Sequence, residues 1–220
     1  MIAYLVSVPL LPIYSKLVLS ADKARENSKE LGEITRLVTS LMLVFSITAA
    51  VVCATHAREL MDLLYKECAE PYADAFRILI YGIIPISMTY VFGTLLTANG
   101  QLKQLNILAA ITLVINIIIN IICIPRWGVT GAAWASLTAQ SFMAAAQIWV
   151  ALKKFSFHLS IFYIIKILLF ALLVIVISAL IPIPTWQGQV LLALTGALAA
   201  AFALRLIDIK AIVNIVRTKE

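Results

Sequence analysis

Histidine is nearly missing from this 220-residue sequence, which has only His56 and His158. The three cysteines, Cys53, Cys68 and Cys123, show neither metal-ligand nor redox spacing. No carboxylate falls deep within any of the long apolar runs, so hydrolytic chemistry lacks its paired acid and base, and no glycine-rich phosphate loop is present. These absences argue against an enzyme and call for no cofactor and no metal. Charge is scarce too: 13% of residues are Asp, Glu, Lys or Arg, against about 25% in soluble domains.

What fills the chain instead is hydrocarbon. Hydrophobic residues make up 63%, and the mean hydropathy is +1.02. Several runs of about 17 to 25 residues are almost free of charge, long enough as helices to cross a hydrocarbon core of about 30 Å. Lipid offers backbone amides no partner, so the runs read as helices. The expected fold is all-α, a polytopic bundle of about seven spans near 1–19, 36–56, 76–98, 104–124, 129–151, 160–181 and 189–208.

The charges between the spans give an orientation. Thirteen of the 17 basic residues fall on one side, among them Lys23, Arg25, Lys29, Arg36, Lys103, Lys153 and Lys154. Arg58, Lys66, Arg77 and Arg126 fall on the other, diluted by acids. The positive-inside rule makes the first side cytoplasmic, with the N-terminus outside and the C-terminus inside. The formal net charge of +6 is thus a topology signal and implies no nucleic-acid partner. Met1 outside, without the basic region and cleavage site of a signal peptide, suggests the later part of a longer membrane protein or a separately encoded partner. Pro9 and Pro12 in the first span, which need neighbouring helices to repair the ladder, agree with that expectation.

Polar and helix-breaking residues inside the oily runs mark candidate sites. Pro125, Gly128 and Gly131 in "NIICIPRWGVTGAAWAS" predict an outer turn that folds spans four and five into a hairpin. Gly131, Ala135 and Ala139 have the small-residue spacing that lets helices approach closely. Asn116 and Asn120 share a face of span four, and Gln140 and Gln147 lie on span five. Facing lipid is costly for an amide, so these four should point into the bundle, as interhelical hydrogen bonds or as a cavity wall meeting a headgroup.

Gly82 and Pro85 in "ILIYGIIPISMTY" predict a kink in span three, either a static bend or the hinge of a rocking transporter. Arg77, one turn after Asp74, stands at the outer mouth of that span, where it either attracts a phosphate or marks the membrane boundary. Lys166 interrupts span six close enough to its end for the side chain to snorkel.

The order "VPLLPIYSK", "LMDLLYKECAEPYADAFRIL", "GTLLTANGQLKQLN" and "INIIINIICIPRWGVTGAAWASLTAQ" resembles the polysaccharide flippases of the multidrug/oligosaccharidyl-lipid/polysaccharide exporter superfamily. The resemblance covers roughly residues 1–152. It implies a partial second transport lobe there, two additional helices and a short tail over 153–220, and alternating access to a lipid-linked oligosaccharide in a prokaryotic plasma membrane. It also implies a missing or separately encoded first lobe. A scaffold subunit of a glycan-assembly complex, or a drug or cation exporter of the same superfamily, are the competing readings.

Overall fold

In a computed structural model the structure describes residues 2–19, 24–65, 70–155, 157, 160–180, 186–204 and 206. Every regular element among them is a helix: α1 (Ile2–Leu19), α2 (Ala24–Thr55), α3 (Ala57–Leu64), α4 (Glu70–Ile80), α5 (Ile83–Ala98), α6 (Leu102–Phe155), α7 (Ile161–Leu180) and α8 (Trp186–Ala203). Four stretches, Glu30–Thr55, Tyr72–Ala98, Leu102–Phe155 and Ile161–Ser178, are long and apolar enough to cross a membrane, and Gln187–Ala203 is a shorter apolar helix. Lys66, Cys68, His158, residues 181–185 between the last two expected spans, residue 205 and the tail from 207 lie outside the described residues.

A straight helix of 54 residues would reach about 81 Å, far beyond one bilayer crossing. α6 instead reverses at Gly128, whose φ of 55° and ψ of −128° are not helical. Thr112 Oγ1 then meets Met143 Sδ at 3.4 Å, 31 residues away in sequence. The expected hairpin is therefore present, with its first limb over 102–127 and its second over 129–155. The expectation that Pro125 ends the first limb is corrected: Pro125 is helical, and the reversal waits for Gly128. Gly131 is buried against the first limb, where an added Cβ would collide with the Cys123 carbonyl group.

Span two is also longer than hydropathy suggests. α2 begins at Ala24, twelve residues before the expected start at 36, because Glu, Lys and Arg favour a helix as much as they resist lipid. Its far end leads through His56 into the short α3, whose Leu63 and Leu64 are each 69% exposed. α1 stays helical through Pro9 and Pro12 and packs on α5 and α2. α5 ends on Asn99 and Gly100: the Gln101 N–H donates to Leu96 O (3.0 Å) and the Gly100 N–H to Thr97 O (2.9 Å). Gly100 has φ 70°, the left-handed closure in which glycine is favoured.

Two apolar clusters hold these rods. One joins Tyr14 of α1, Ile34 and Val38 of α2, Phe92 and Leu95 of α5, and Ala144 and Ala151 of the second limb. The other joins Ile47 and Val51 of α2 to Phe170 and Val174 of α7 and Ala197 and Ala201 of α8. α2 takes part in both, on different turns. Gln189 Nε2 ties α8 to α7 by donating to Ser178 O at 2.8 Å.

Candidate functional site

Span three breaks where its glycine and proline predict. Pro85 has no N–H, so the Tyr81 carbonyl lacks its usual donor four residues on. It accepts from the Ile84 N–H instead, at 3.2 Å, while Tyr81 and Gly82 donate to Ile78 O and Leu79 O at 3.2 and 2.9 Å. Three bonds of the tighter i to i−3 type separate α4 from α5, and the ordinary spacing resumes with Ile86 N to Gly82 O at 3.0 Å. The break is a local rewinding of one span.

The second limb of α6 packs along this broken span, and two glutamines meet two glycines there. A methyl added at Gly82 would stand 2.5 Å from Gln140 Oε1, and one at Gly93 would stand 3.3 Å from Gln147 Oε1. The two glutamines are seven residues apart, two turns along one face. Both Oε1 atoms are buried without a hydrogen-bond partner, an uncommon condition for buried acceptors. Ala135 and Ala139 lie buried on the same limb at 0% and 4% exposure, as the small-residue spacing requires.

Asn116 and Asn120 bond to each other. Asn120 Nδ2 donates to Asn116 O (3.0 Å) and to Asn116 Oδ1 (2.9 Å). They lie on the half-buried stripe 112, 115, 116, 119, 120, 123 of the first limb, while Leu113, Val114, Ile117 and Ile118 are exposed. The amides are thus turned from the most exposed flank, as their desolvation cost requires. Their described bond stays within one helix, where an interhelical bond was one expectation.

Arg77 is committed locally. Its Nε donates to Ala54 O at 3.2 Å and its Nη1 to Asp74 Oδ1 at 3.1 Å. Ala54 is one residue from the end of α2, where a cation satisfies an orphan carbonyl and complements the helix dipole by about 0.3–1 kcal/mol. The structure brings Gly82 and Gln140 together, sets Pro85 one turn beyond them, and places the reversal at Gly128, with Pro125 in the first limb and Gly131 in the second. Among the described residues no hydrogen bond or ion pair connects Arg77, Gln140 and the asparagine pair.

Sequence reasoning passed over a cleft at the opposite end of α2. Arg36, marked there only as a topology charge, lies 5.2 Å above the Tyr163 ring, and the Tyr163 and Ser40 hydroxyls are hydrogen-bonded at 2.9 Å. The proximity of α2 to α7 carries no local sequence signal. Cys53 and Cys123 are free, and among the described residues no three His, Cys, Asp or Glu side chains gather as metal ligands.

A protein-family model described as Lipid II flippase MurJ matches residues 1–202. No curated protein matches the chain. The match extends the kinship past residue 152, the limit of the sequence resemblance, to include α7 and nearly all of α8. It is a family of transporters; the kinship with lipid-linked glycan flippases that the motif order indicates holds at the level of the superfamily, and the family within it is MurJ rather than the polysaccharide flippases. Because this match spans most of the sequence, the chain belongs to the lipid II flippase MurJ family.

Proposed function

We propose that this protein moves a lipid-linked glycan precursor, of the lipid II class, across the plasma membrane of a prokaryote by alternating access. The observation that carries the reading is the family match over residues 1–202. The rewound segment at Tyr81–Gly82 serves as the hinge, because it already replaces the regular ladder with shorter bonds and because broken helices recur at moving sites in transporters. Gln140, seated on Gly82, and the Asn116–Asn120 stripe supply uncharged hydrogen-bonding groups for a glycan headgroup. Arg77 works at the outer mouth as a clamp on the end of α2 rather than as the phosphate ligand. The basic ends at Lys103, Lys153 and Lys154 face the cytoplasm by the positive-inside rule, and a first lobe, encoded with this chain or separately, forms the other wall.

The test is depletion of the protein in its native host. The expected outcome is accumulation of a lipid-linked precursor whose headgroup is shielded from an externally added, membrane-impermeant modifying enzyme, reversed by re-expressing the wild-type chain. Equal external accessibility with and without the protein would overturn the reading.

A further inference from the structure

The Arg36 cleft is a cavity of about 240 Å³ between α2, α5, the end of α6 and the start of α7. Its wall combines apolar and polar groups in a way the transport reading does not use. Phe92 and Phe157 give it an apolar side. Thr35 and Thr39, only 3% and 8% exposed, also line it, and neither hydroxyl has a hydrogen-bond partner. The Thr35 hydroxyl lies beside the buried Tyr14 hydroxyl, the partner it can turn to. Burying a hydroxyl without a partner is costly, so the Thr39 hydroxyl above all would gain from a polar ligand in the cavity.

Charge narrows the ligand. Arg36 and Glu33 both line the cavity and stand one helical turn apart, yet no ion pair joins them. Such neighbours ordinarily attract each other. The Arg36 guanidinium lies over the Tyr163 ring, a contact that still leaves N–H donors for an oxyanion. A phosphate dianion would meet repulsion from Glu33. A phosphodiester carries a single negative charge, and a primary ammonium on the same headgroup matches Glu33.

Size and position narrow it further. The volume is below the roughly 300–1,000 Å³ of sites for drug-sized ligands, so a small headgroup fits and a glycan-peptide does not. The cavity lies near the end of α2 where the apolar stretch begins at Glu30, and beside the start of the apolar stretch at Ile161. These are membrane-boundary positions.

We infer that this cavity binds the phosphoethanolamine headgroup of a membrane phospholipid. Arg36, Thr35 and Thr39 hold the phosphodiester, Glu33 holds the ammonium, and the aromatic wall receives the glycerol and the first acyl carbons. The lipid thereby staples α7 to α2. The inference concerns binding and stands apart from the transport reading.

The full chain is reconstituted in phosphatidylcholine nanodiscs doped with phosphatidylethanolamine or phosphatidylglycerol, extracted, and its retained lipids counted by native mass spectrometry. Phosphatidylethanolamine should be retained about tenfold over both others. Arg36→Gln and Thr39→Val should each reduce that retention about tenfold, with Thr39→Ser restoring it. Glu33→Gln should remove the preference over phosphatidylglycerol while leaving phosphatidylglycerol binding intact. Equal retention of the three lipids, or wild-type retention by these variants, overturns the inference. Occupancy by soluble glycerophosphoethanolamine at the expense of the lipid overturns the membrane source. If Arg36→Gln loses helicity by circular dichroism, the exposed Glu33→Gln variant decides alone.

Discussion

Gly131 and Gly82 are both tightly enclosed, but by neighbours of different compliance. At Gly131 the obstacle to a methyl is the Cys123 carbonyl group, part of the facing backbone, and no rotamer change relieves it. At Gly82 the nearest obstacle is the mobile end of Gln140, with Leu79 O behind it at 2.9 Å. Gly131→Ala should therefore destabilise the protein by about 1–3 kcal/mol, the usual cost of overpacking, and lower its thermal midpoint in detergent by several degrees. Gly82→Ala should cost a similar amount alone and less in a Gln140→Ala background, giving a favourable coupling in a double-mutant cycle. Strict additivity of that pair would show that Gln140 does not rest on Gly82. Gly128→Ala should also destabilise, by about 1–3 kcal/mol, because φ 55° with ψ −128° belongs to a region almost reserved for glycine.

Among the elements, the sequence was most legible where one residue has only one physical option. Gly128 closes the hairpin at backbone angles nearly reserved for glycine, and the break in span three falls where Gly82 precedes Pro85, whereas Pro9, Pro12 and Pro125, which equally lack a donor, stay within helices. Hydropathy was less informative about α2, since it registers where lipid ends and not where hydrogen bonding ends. The polar seam was legible only in part. Asn116 and Asn120 could be placed on one face by their spacing, but whether they bond to each other or across helices depends on rotamers that spacing does not set. If the break is a hinge, restoring its missing donor should stiffen it. With the native cysteines replaced, spin labels at Tyr72 and Leu102, both exposed, report the distance across span three by pulsed electron resonance. Pro85→Ala should lengthen and narrow that distribution, because a new N–H can reach Tyr81 O and straighten the span. An unchanged distribution would identify a static bend.

At the scale of the whole molecule, function depends on which surfaces meet water, and a list of apolar runs cannot reveal that. The first limb of α6 is rich in isoleucine overall, yet its half-buried stripe carries Thr112, Asn116 and Asn120, and its outer flank carries Ile118 and Ile122, 51% and 50% exposed. The Arg36 cleft was missed for a related reason, since it arises where α2 meets α7, a contact between residues 127 positions apart. A thiol reacts with maleimide as the thiolate, which forms in water and not in hydrocarbon. In a chain lacking Cys53, Cys68 and Cys123, Asn120→Cys should thus react with a small water-soluble maleimide in native membranes, and Ile118→Cys should not. Added lipid-linked precursor should slow the reaction at position 120 if the stripe forms part of its pathway. Equal inertness at both positions would make the asparagine pair a packing device inside a dry seam, and the transport pathway would then have to run along another face of the bundle.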